Sequence, residues 1–451
     1  MNDKPSVKRA PLLSEDRLGE RARVYGSERA ILVALQSQEP DEHGPLDELE
    51  ALADTAGIET LAHVVQKRRR PDPSTVIGRG KVQEVKQAAR ELDAEVVVFD
   101  RELSPAQARN LEEAIGRKVV DRAQLIMDIF AQRAATKEAQ LQVELAQLRY
   151  LLPRLRGWGS ALTRLGGGIG TRGPGETQLE LDRMKISRRI HALERRLAKA
   201  KSERALRGKR RGESEVPQIV LVGYTNSGKS TLLNRLSTAD AFVEDKLFAT
   251  LSTTVRRGAL PADRHALFVD TVGFIRALPH HLIPAFAATL EAARDADLLL
   301  HVIDVARPVW ETDERIVVEI LDREVFTEDT PRPQILEVWN KIDLVAPLAH
   351  PNGDHGIAVS ARTGDHLDEL RARIAGELER ELTEVTLLVP YPVMPLLHRL
   401  APSDRRVVIG YTGHGTRVVA RLSDDVLGRL LKAGAHVTTS ASSLRRGLAP
   451  N

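Results

Sequence analysis

Short apolar runs alternate with helical patterns along the first third of the chain. ILVAL at 31–35 and EVVVFD at 95–100 are typical of buried strands. The second run leads into SPAQARNLEEAIG, where Ser104 is a natural helix N-cap, Pro105 suits the first helical position and Gly116 ends the helix. Strands that alternate with helices in this way predict a parallel sheet with covering helices.

Two stripes of leucine and isoleucine follow at coiled-coil spacing. Their members are Leu141, Leu145, Leu148 and Leu152 in the first stripe and Ile186, Ile190, Leu193 and Leu197 in the second. Steps of three and four residues place each set on one side of a helix. Between them lies GGGIGTRGPGETQLE at 166–180, with six glycines in fifteen residues. The pattern predicts an antiparallel helical hairpin with a glycine-rich loop, residues 157–175, at its tip.

The alternation of strands and helices returns more strongly between Gln218 and Arg380. QIVLVG, HALFVD, LLLHVID, ILEVWNKID and GIAVSA have the composition of buried strands and are separated by helical stretches. This order is typical of a doubly wound α/β domain, in which ligands bind at the carboxyl ends of the strands. The last part of the chain, with EVTLLVP and RVVIGYTGHGTRVVARL, predicts a small α+β module.

The composition fits a folded protein of several domains and excludes thiol chemistry. The chain has 451 residues, of which 42% are hydrophobic and 29% charged, and it has no cysteine. This excludes disulfides, thiol nucleophiles and thiolate metal sites, and it fits a reducing compartment. The first residues lack the apolar core of a signal peptide, and no apolar run approaches the roughly 20 residues of a membrane span. We therefore expect a cytoplasmic protein without a membrane span.

The net charge of +3 is unevenly spread along the chain. Between Arg183 and Arg211 there are thirteen Lys or Arg residues against Glu194 and Glu203, a net charge of +11. Such a basic block in a near-neutral protein is typical of a surface that binds a polyanion. A solvated helix face is the alternative, and the charges alone do not decide between the two.

GYTNSGKS at 223–230 matches the phosphate-loop pattern G-x-x-x-x-G-K-S and lies between a predicted strand and a predicted helix. Backbone N–H groups of such a loop surround the β-phosphate, Lys229 supplies positive charge to the β- and γ-phosphates, and the Ser230 hydroxyl can ligate Mg²⁺. The predicted nucleotide contacts of this motif are Gly223, Tyr224, Thr225, Asn226, Ser227, Gly228, Lys229, Ser230 and Thr231.

Three further motifs follow in order, each after a predicted strand. DTVGF at 270–274 offers Asp270 to Mg²⁺ through water and the Gly273 N–H to the γ-phosphate. In NKID, the Asp343 carboxylate can accept from guanine N1–H and the 2-amino group together, which selects GTP over ATP. SAR at 360–362 would place N–H groups near guanine O6. The predicted contacts are Asp270, Thr271, Val272, Gly273, Asn340, Lys341, Ile342, Asp343, Ser360, Ala361 and Arg362.

Hydrolysis further requires a switch threonine on Mg²⁺ and a group that orients water. LFATLSTT offers Thr250, Thr253 and Thr254 for the first role, and physical reasoning alone does not choose among them. Lys229 and Gly273 are the predicted catalytic groups. Phe274 stands where Ras-like enzymes have a water-orienting Gln, so we predict slow intrinsic hydrolysis that a partner raises; Phe274 can also pack in a hydrophobic cluster, and both roles can hold.

Other features of the chain have weaker signals. The Asn226 carbonyl could ligate K⁺ beside the phosphates, or the side chain could hydrogen-bond the loop itself. The turn GRGK at 78–81 could hold a phosphate at a helix N-terminus, although a purely structural turn is favoured. Near the glycine-rich tip, basic side chains could contact RNA phosphates and a tryptophan could stack on an unpaired base. These candidates are Arg154, Arg156, Trp158, Arg164 and Arg172.

The motifs together predict a multidomain α/β protein, and we expect it to be a monomer. Its expected parts are a disordered tail at 1–28, a parallel-sheet α/β domain at 29–132, the helical hairpin at 133–214, a P-loop GTPase domain at 215–381 and an α+β domain at 382–451.

The chain resembles the HflX family of ribosome-associated GTPases. The glycine-rich signature GGGIGTRGPGETQLE is similar to that family's linker, and GYTNSGKST, LFATL, DTVGFIRALPH and NKID match its GTPase motifs. ELSPAQARNLE, DRAQLIMDIFAQRA and LQVELAQLRYLLPRL extend the likeness towards the N-terminus, so that it covers residues from about 30 to 380.

The resemblance implies a factor that uses GTP and Mg²⁺, binds the large ribosomal subunit and splits stalled or idle ribosomes. The hairpin would reach ribosomal RNA near the peptidyl transferase centre, and the ribosome would stimulate hydrolysis. The F-A-T-L pattern implies that Thr250 binds Mg²⁺ and that Phe248, Ala249, Leu251 and Ser252 contact GTP. LSTT departs from the L-D-P-T of many relatives. Two alternatives stay open: an RNA-binding protein with GTP as a structural ligand, and a GTPase that regulates another enzyme.

Overall fold

The computed structural model describes residues 28–36, 46–155, 174–211, 216–237, 247–248, 253–276, 282, 286–326, 332–346, 355–380, 382–401 and 406–440. The predicted tail at 1–28 lies outside these residues except for Glu28, and the predicted loop at 157–175 lies outside them except for its last two residues. Within the described part of the chain, no helix is long and apolar enough to cross a membrane.

The N-terminal part forms a four-stranded parallel sheet in the order β2-β1-β3-β4. Its strands are β1 (Arg29–Gln36), β2 (Glu59–Lys67), β3 (Val96–Phe99) and β4 (Lys118–Asp121). The helices are α1 (Asp47–Ala56), α2 (Arg79–Glu91), α3 (Pro105–Ile115) and α4 (Arg122–Arg133). The predicted parallel α/β domain is confirmed, and so is the cap of α3, where the Ser104 side chain accepts from the Gln107 N–H and the Gln107 side chain accepts from the Ser104 N–H.

Both faces of this sheet are buried, which explains the continuous apolar sequence of its central strands. In β1, Ala30 and Leu32 belong to a core shared with α1 and α4, whereas Ile31 and Val33 belong to a second core shared with α2 and α3. The alternation follows from the two-residue period of a strand. The helices α1 and α4 therefore cover one face of the sheet, and α2 and α3 cover the other face.

Two long helices follow, α5 (Lys137–Arg154) and α6 (Pro174–Arg211). They pack through a cluster of Leu145, Leu148, Ile186, Ile190 and Leu193, with Leu141, Leu152 and Leu197 at its edges. Two ion pairs cross the contact, Arg149 with Glu194 and Arg189 with Glu144, each with an N–O distance of 2.7 Å. The apolar stripes seen in the sequence are thus the residues that meet.

The next part is a six-stranded sheet in the order β10-β9-β8-β5-β7-β6, in which β6 alone pairs antiparallel. The strands are β5 (Gln218–Val222), β6 (Thr254–Leu260), β7 (Arg264–Asp270), β8 (Leu298–Asp304), β9 (Gln334–Asn340) and β10 (Gly356–Ala358). The helices are α7 (Lys229–Leu236), α8 (Ala287–Arg294), α9 (Trp310–Glu324) and α10 (Leu367–Arg380). Separate cores on the two faces give the predicted doubly wound domain.

The last described part is an antiparallel sheet in the order β12-β13-β11-β14. Its strands are β11 (Thr383–Val389), β12 (Arg406–Thr412), β13 (Gly415–Leu422) and β14 (His436–Ser440), with helices α11 (Met394–Leu400) and α12 (Asp424–Lys432). Val385, Leu387 and Val389 pack with Leu397 and Leu430. The helices therefore cover one face of the sheet.

The N-terminal sheet domain and the six-stranded domain share a core. Phe130 of α4 makes edge-to-face contacts with Phe248 and Phe286, at ring-centroid distances of 4.8 and 5.5 Å. Val272 and Ile275 join the same cluster from the segment after β7. Aromatic contacts of this kind contribute beyond simple burial, so the N-terminal domain is held against the segments on which the phosphate-loop motifs lie.

Candidate nucleotide-binding site

The predicted motifs converge at the carboxyl edge of the six-stranded sheet. The loop from Gly223 to Gly228 connects β5 to α7, and Asp270 and Asn340 are the last residues of β7 and β9. Ser360 follows shortly after β10. Parallel strands bring their carboxyl ends together, so motifs spread over more than a hundred residues form one site.

Two glycines of the phosphate loop are required by close packing. A Cβ at Gly223 would lie 2.2 Å from the Val302 carbonyl oxygen, and a Cβ at Gly228 would lie 2.2 Å from Asn340 Nδ2. Gly228 also has φ +94°, a left-handed conformation that side chains disfavour. These contacts explain why the pattern needs glycine at both ends of the loop.

Lys229 lies inside the loop with 6% of its surface exposed. Its Nζ donates to the carbonyl oxygens of Tyr224 at 2.7 Å and Gly223 at 3.3 Å. Burial lowers the pKa of Lys229 to about 8. A bound phosphate would favour the charged form and raise this pKa, because opposite charge stabilises a buried ammonium.

Ser230 and Asp270 meet beside the loop. The Ser230 hydroxyl donates to Asp270 Oδ2 at 2.6 Å. A hydroxyl and a carboxylate oxygen at this separation are hard donors of the type that Mg²⁺ takes, directly or through water. The residues therefore fit the predicted magnesium site, to which Thr250, outside the described residues, would add a further hydroxyl.

The D-x-x-G turn is closed against the phosphate loop. The Phe274 N–H donates to the Gly223 carbonyl at 3.0 Å, and the Thr225 N–H donates to the Phe274 carbonyl at 2.7 Å. A Cβ at Gly273 would lie 2.6 Å from Thr225 Cα and 2.9 Å from Lys229 Nζ. The Phe274 ring is fully buried and stacks on the Phe286 ring, with 6.3 Å between the ring centroids. Phe274 thus packs in a hydrophobic cluster, as one of the two sequence interpretations expected.

The guanine motifs are tied to each other and to the loop. Asn340 Nδ2 donates to the Ser227 carbonyl at 2.9 Å, while Asn340 Oδ1 accepts from the Ala361 N–H at 2.9 Å. Ser360 Oγ donates to Asp343 Oδ1 at 2.7 Å. This hydrogen bond orients the exposed Asp343 carboxylate that the sequence predicts for guanine recognition.

Several predicted site residues lie outside the described part of the chain, so their roles stay predictions. In the nucleotide site these are Ala249, Thr250, Leu251 and Ser252, and at the hairpin tip they are Arg156, Trp158, Arg164 and Arg172. Phe248 is described, and its N–H donates to Thr225 Oγ1 at 3.2 Å. Asn226 is described with φ +60°.

Arg154, the remaining RNA-contact candidate, is bonded within the N-terminal domain. Its Nη2 donates to the Leu103 carbonyl at 2.5 Å and to Asp121 Oδ2 at 3.1 Å, and its guanidinium stacks 3.3 Å from the centroid of the Tyr150 ring. Its contact with RNA stays a prediction. At the GRGK turn, the Gly78 N–H donates to Gln66 Oε1 at 2.8 Å, so a side chain already uses one donor at this helix N-terminus.

Sequence reasoning missed a buried polar network around Tyr224. The Tyr224 hydroxyl donates to Glu48 Oε1 at 2.5 Å, and Arg122 bridges Glu48 and Asp100 at 2.6 and 2.7 Å. Arg276, two residues after Phe274, completes the network. Glu48 and Tyr224 are 176 residues apart in sequence, and no local pattern marks such a pair.

Taken with the fold, the phosphate loop, the paired Ser230 and Asp270, the D-x-x-G turn and the oriented Asp343 define a P-loop GTPase. Three family models match the chain: "GTP-binding GTPase N-terminal" over residues 43–131, "GTP-binding GTPase Middle Region" over 133–211 and "50S ribosome-binding GTPase" over 218–341.

The relatives are consistent with these matches. GTPase HflX of Caldanaerobacter subterraneus subsp. tengcongensis is 47% identical over 405 residues, which cover 89% of this chain and 93% of that protein. GTPase HflX of Escherichia coli strain K12 is 42% identical over 375 residues, which cover 82% and 87%. The chain belongs to the HflX family of GTPases, and it binds and hydrolyses GTP.

A solved structure is also similar to the chain. It is a GTP-binding protein from the archaeon Sulfolobus solfataricus in complex with GDP, and it is 27% identical. The likeness covers 78% of this chain and 99% of that protein, with a TM-score of 0.40.

Proposed function

We propose that the chain binds the large ribosomal subunit and splits stalled or idle ribosomes, using GTP to control a basic helical arm directed at ribosomal RNA. The observation that carries this proposal is the combination of a GTP site with the basic helix α6 in one chain. The match to a family model described as a 50S ribosome-binding GTPase supports the choice of partner.

The arm is proposed to be an antiparallel hairpin. In the heptad register set by the apolar stripes, Glu144 and Arg189 both occupy g positions, and Arg149 and Glu194 both occupy e positions. Like positions lie on the same side of a two-helix contact only when the helices run in opposite directions, and both ion pairs are formed. This direction would bring the end of α5 and the start of α6 together and place residues 157–175 at the tip.

Exposed cations lie on the face of α6 that points away from its apolar stripe. These are Lys185, Arg188, Arg195, Arg196 and Lys199. Exposed Lys and Arg along one helix neutralise successive phosphates of a nucleic-acid backbone and release its counterions. The exposure of these cations supports a contact with RNA along α6. The further contacts that we propose near the tip are Arg154, Arg156, Trp158, Arg164 and Arg172.

The nucleotide site is proposed to work with Mg²⁺ held by Ser230 and Thr250. Asp270, which accepts a hydrogen bond from Ser230, would contact the ion through water. When bound, Mg²⁺ neutralises developing phosphate charge. Lys229 places its ammonium at the β- and γ-phosphates, and the Gly273 N–H donates to the γ-phosphate. Phe274 has no polar group to orient water, so we expect slow intrinsic hydrolysis that the ribosome raises. We expect the chain to act as a monomer.

The side chain of Asn226 is proposed to hold K⁺ beside the phosphates. Equal hydrolysis rates in sodium and potassium would argue against that role.

The test measures the splitting of intact ribosomes by light scattering, with GTP and with a non-hydrolysable GTP analogue. We expect the intact chain to split ribosomes and Lys229→Ala to fail. The double variant Arg195→Gln/Arg196→Gln should lose splitting and retain GTP binding, whereas Arg90→Gln/Lys432→Gln, with the same loss of charge elsewhere, should behave as the intact chain. Splitting by Lys229→Ala at the normal rate would show that GTP is only a structural ligand.

A further inference from the structure

The N-terminal domain reaches the nucleotide site through Glu48. This carboxylate, 7% exposed as a residue, accepts from the Tyr224 hydroxyl at 2.5 Å and from Arg122 Nη2 at 2.6 Å. Arg276 Nε lies 3.6 Å from the same carboxylate. One buried acid of α1 is therefore in contact with the phosphate loop, through Tyr224, and with the segment after the D-x-x-G turn, through Arg276.

Tyr224 joins these two segments directly. Its hydroxyl oxygen accepts a hydrogen bond from the backbone N–H of Arg276 at 2.9 Å, and the same hydroxyl donates to Glu48. Burial, together with the charge of Glu48, raises the pKa of Tyr224 far above its usual value. The phenol therefore stays protonated, and both hydrogen bonds persist at any physiological pH.

The Arg276 segment is held from several sides. Arg276 Nη2 donates to Asp100 Oδ2 at 3.3 Å, and its carbonyl accepts from Arg122 Nη2 at 3.3 Å. Ile275, one residue earlier, is fully buried in the core that the N-terminal domain contributes. These hydrogen bonds share partners in a largely buried network, where the low dielectric strengthens each of them.

This network stabilises the turn in a position that a γ-phosphate cannot share. Phe274 is hydrogen-bonded to Gly223 and Thr225. Gly273 lies so close to the phosphate loop that a Cβ added to it would be 2.6 Å from Thr225 Cα. A γ-phosphate bound to Lys229 and to the Gly273 N–H must lie between these groups. GTP binding therefore requires the turn to move away from the loop, whereas GDP has no group that reaches Gly273.

We infer that Glu48 is a positioning residue through which the N-terminal domain disfavours GTP relative to GDP: with Tyr224 and Arg276 it stabilises the closed turn, and GTP binds only when that contact opens. Apparent affinity falls with the fraction of molecules in the competent state. By reciprocity, bound GTP must loosen the N-terminal domain against the site. The inference uses the GTPase chemistry alone and does not depend on a ribosomal partner.

The test measures the affinity of the full chain for fluorescent GDP and for a fluorescent non-hydrolysable GTP analogue, with Mg²⁺ and without ribosomes. Tyr224→Phe removes both hydrogen bonds of the hydroxyl and should shift the ratio of the two affinities towards GTP by roughly tenfold, the size expected for a bond to a buried carboxylate. Glu48→Gln should shift the ratio in the same direction. The control is Tyr150→Phe, a second buried tyrosine, which lies on α5 and stacks against Arg154 and which should leave the ratio unchanged.

An equal change in both affinities, or a shift towards GDP, would overturn the inference. If the variants do not fold, hydrogen exchange of the unmodified chain decides the question. The amides of α1 should exchange faster with the GTP analogue than with GDP, and identical exchange with the two nucleotides would also overturn it. Both measurements omit ribosomes, so their failure is distinguishable from a failure of the splitting proposal.

Discussion

Replacing Gly228 by alanine tests whether the phosphate loop is specified by close packing. Gly228 has φ +94°, and a Cβ there would lie 2.2 Å from Asn340 Nδ2. Asn340 cannot withdraw without loss, because the same amide donates to the Ser227 carbonyl and accepts from the Ala361 N–H. The added methyl group therefore disturbs the phosphate loop and the guanine motif together.

The expected cost follows from two terms. The left-handed conformation costs an alanine about 1–2 kcal/mol, and overpacking of a closely packed contact costs about 1–3 kcal/mol. Their total of roughly 2–5 kcal/mol corresponds to at least about a thirtyfold loss of GDP affinity if the loop relaxes in the unliganded protein. If the loop does not relax, the same free energy is lost from the stability of the fold instead.

The assay combines fluorescent GDP titration with urea unfolding of Gly228→Ala, so that both forms of the loss are measured. Gly434→Ala is the matched control: Gly434 lies in the C-terminal part and has φ +103°, and a Cβ there would meet no heavy atom of the described residues within 4 Å. It should lose about 1–2 kcal/mol of stability and no GDP affinity. Wild-type affinity together with wild-type stability in Gly228→Ala would refute the reasoning.

Three further predictions follow from the charges of the site. GDP affinity should be constant below about pH 8, the pKa of Lys229, and fall about tenfold per pH unit above it, because binding then requires proton uptake; Lys229→Arg should abolish this slope in titrations across pH. Asp343→Asn should weaken GDP binding at least about tenfold and favour a xanthine nucleotide, whose 2-oxo group can accept from the new amide. Arg122→Met should cost about 3–5 kcal/mol in urea unfolding, because it removes the buried cation that pairs with both Glu48 and Asp100. Arg149→Met, at an exposed pair, should cost at most about 1 kcal/mol.

The parts of the fold that the sequence predicts are those with local causes. β5, the phosphate loop and α7 are consecutive, so their apolar run, glycines and helix start appear in a single stretch of sequence. The stripes on α5 and α6 are similarly visible because helical periodicity reports a buried face before the partner is known.

The contacts that the sequence does not predict depend on tertiary proximity. Glu48 has the pattern of an ordinary exposed acid in the first turn of α1, yet it is buried against Tyr224. Phe130 likewise has the pattern of a core residue of its own domain, although its ring contacts Phe248 and Phe286. Such pairs become visible only when the two domains are placed together, and they are what joins the N-terminal domain to the nucleotide site.

The most direct test of the proposed function is GTP hydrolysis with and without purified large ribosomal subunits. It compares the intact chain with one in which residues 157–175 are replaced by a Gly/Ser linker of equal length. We predict that subunits raise the rate of the intact chain many-fold and that the replacement abolishes this gain without changing the basal rate. A rate that subunits leave unchanged in the intact chain would contradict the account.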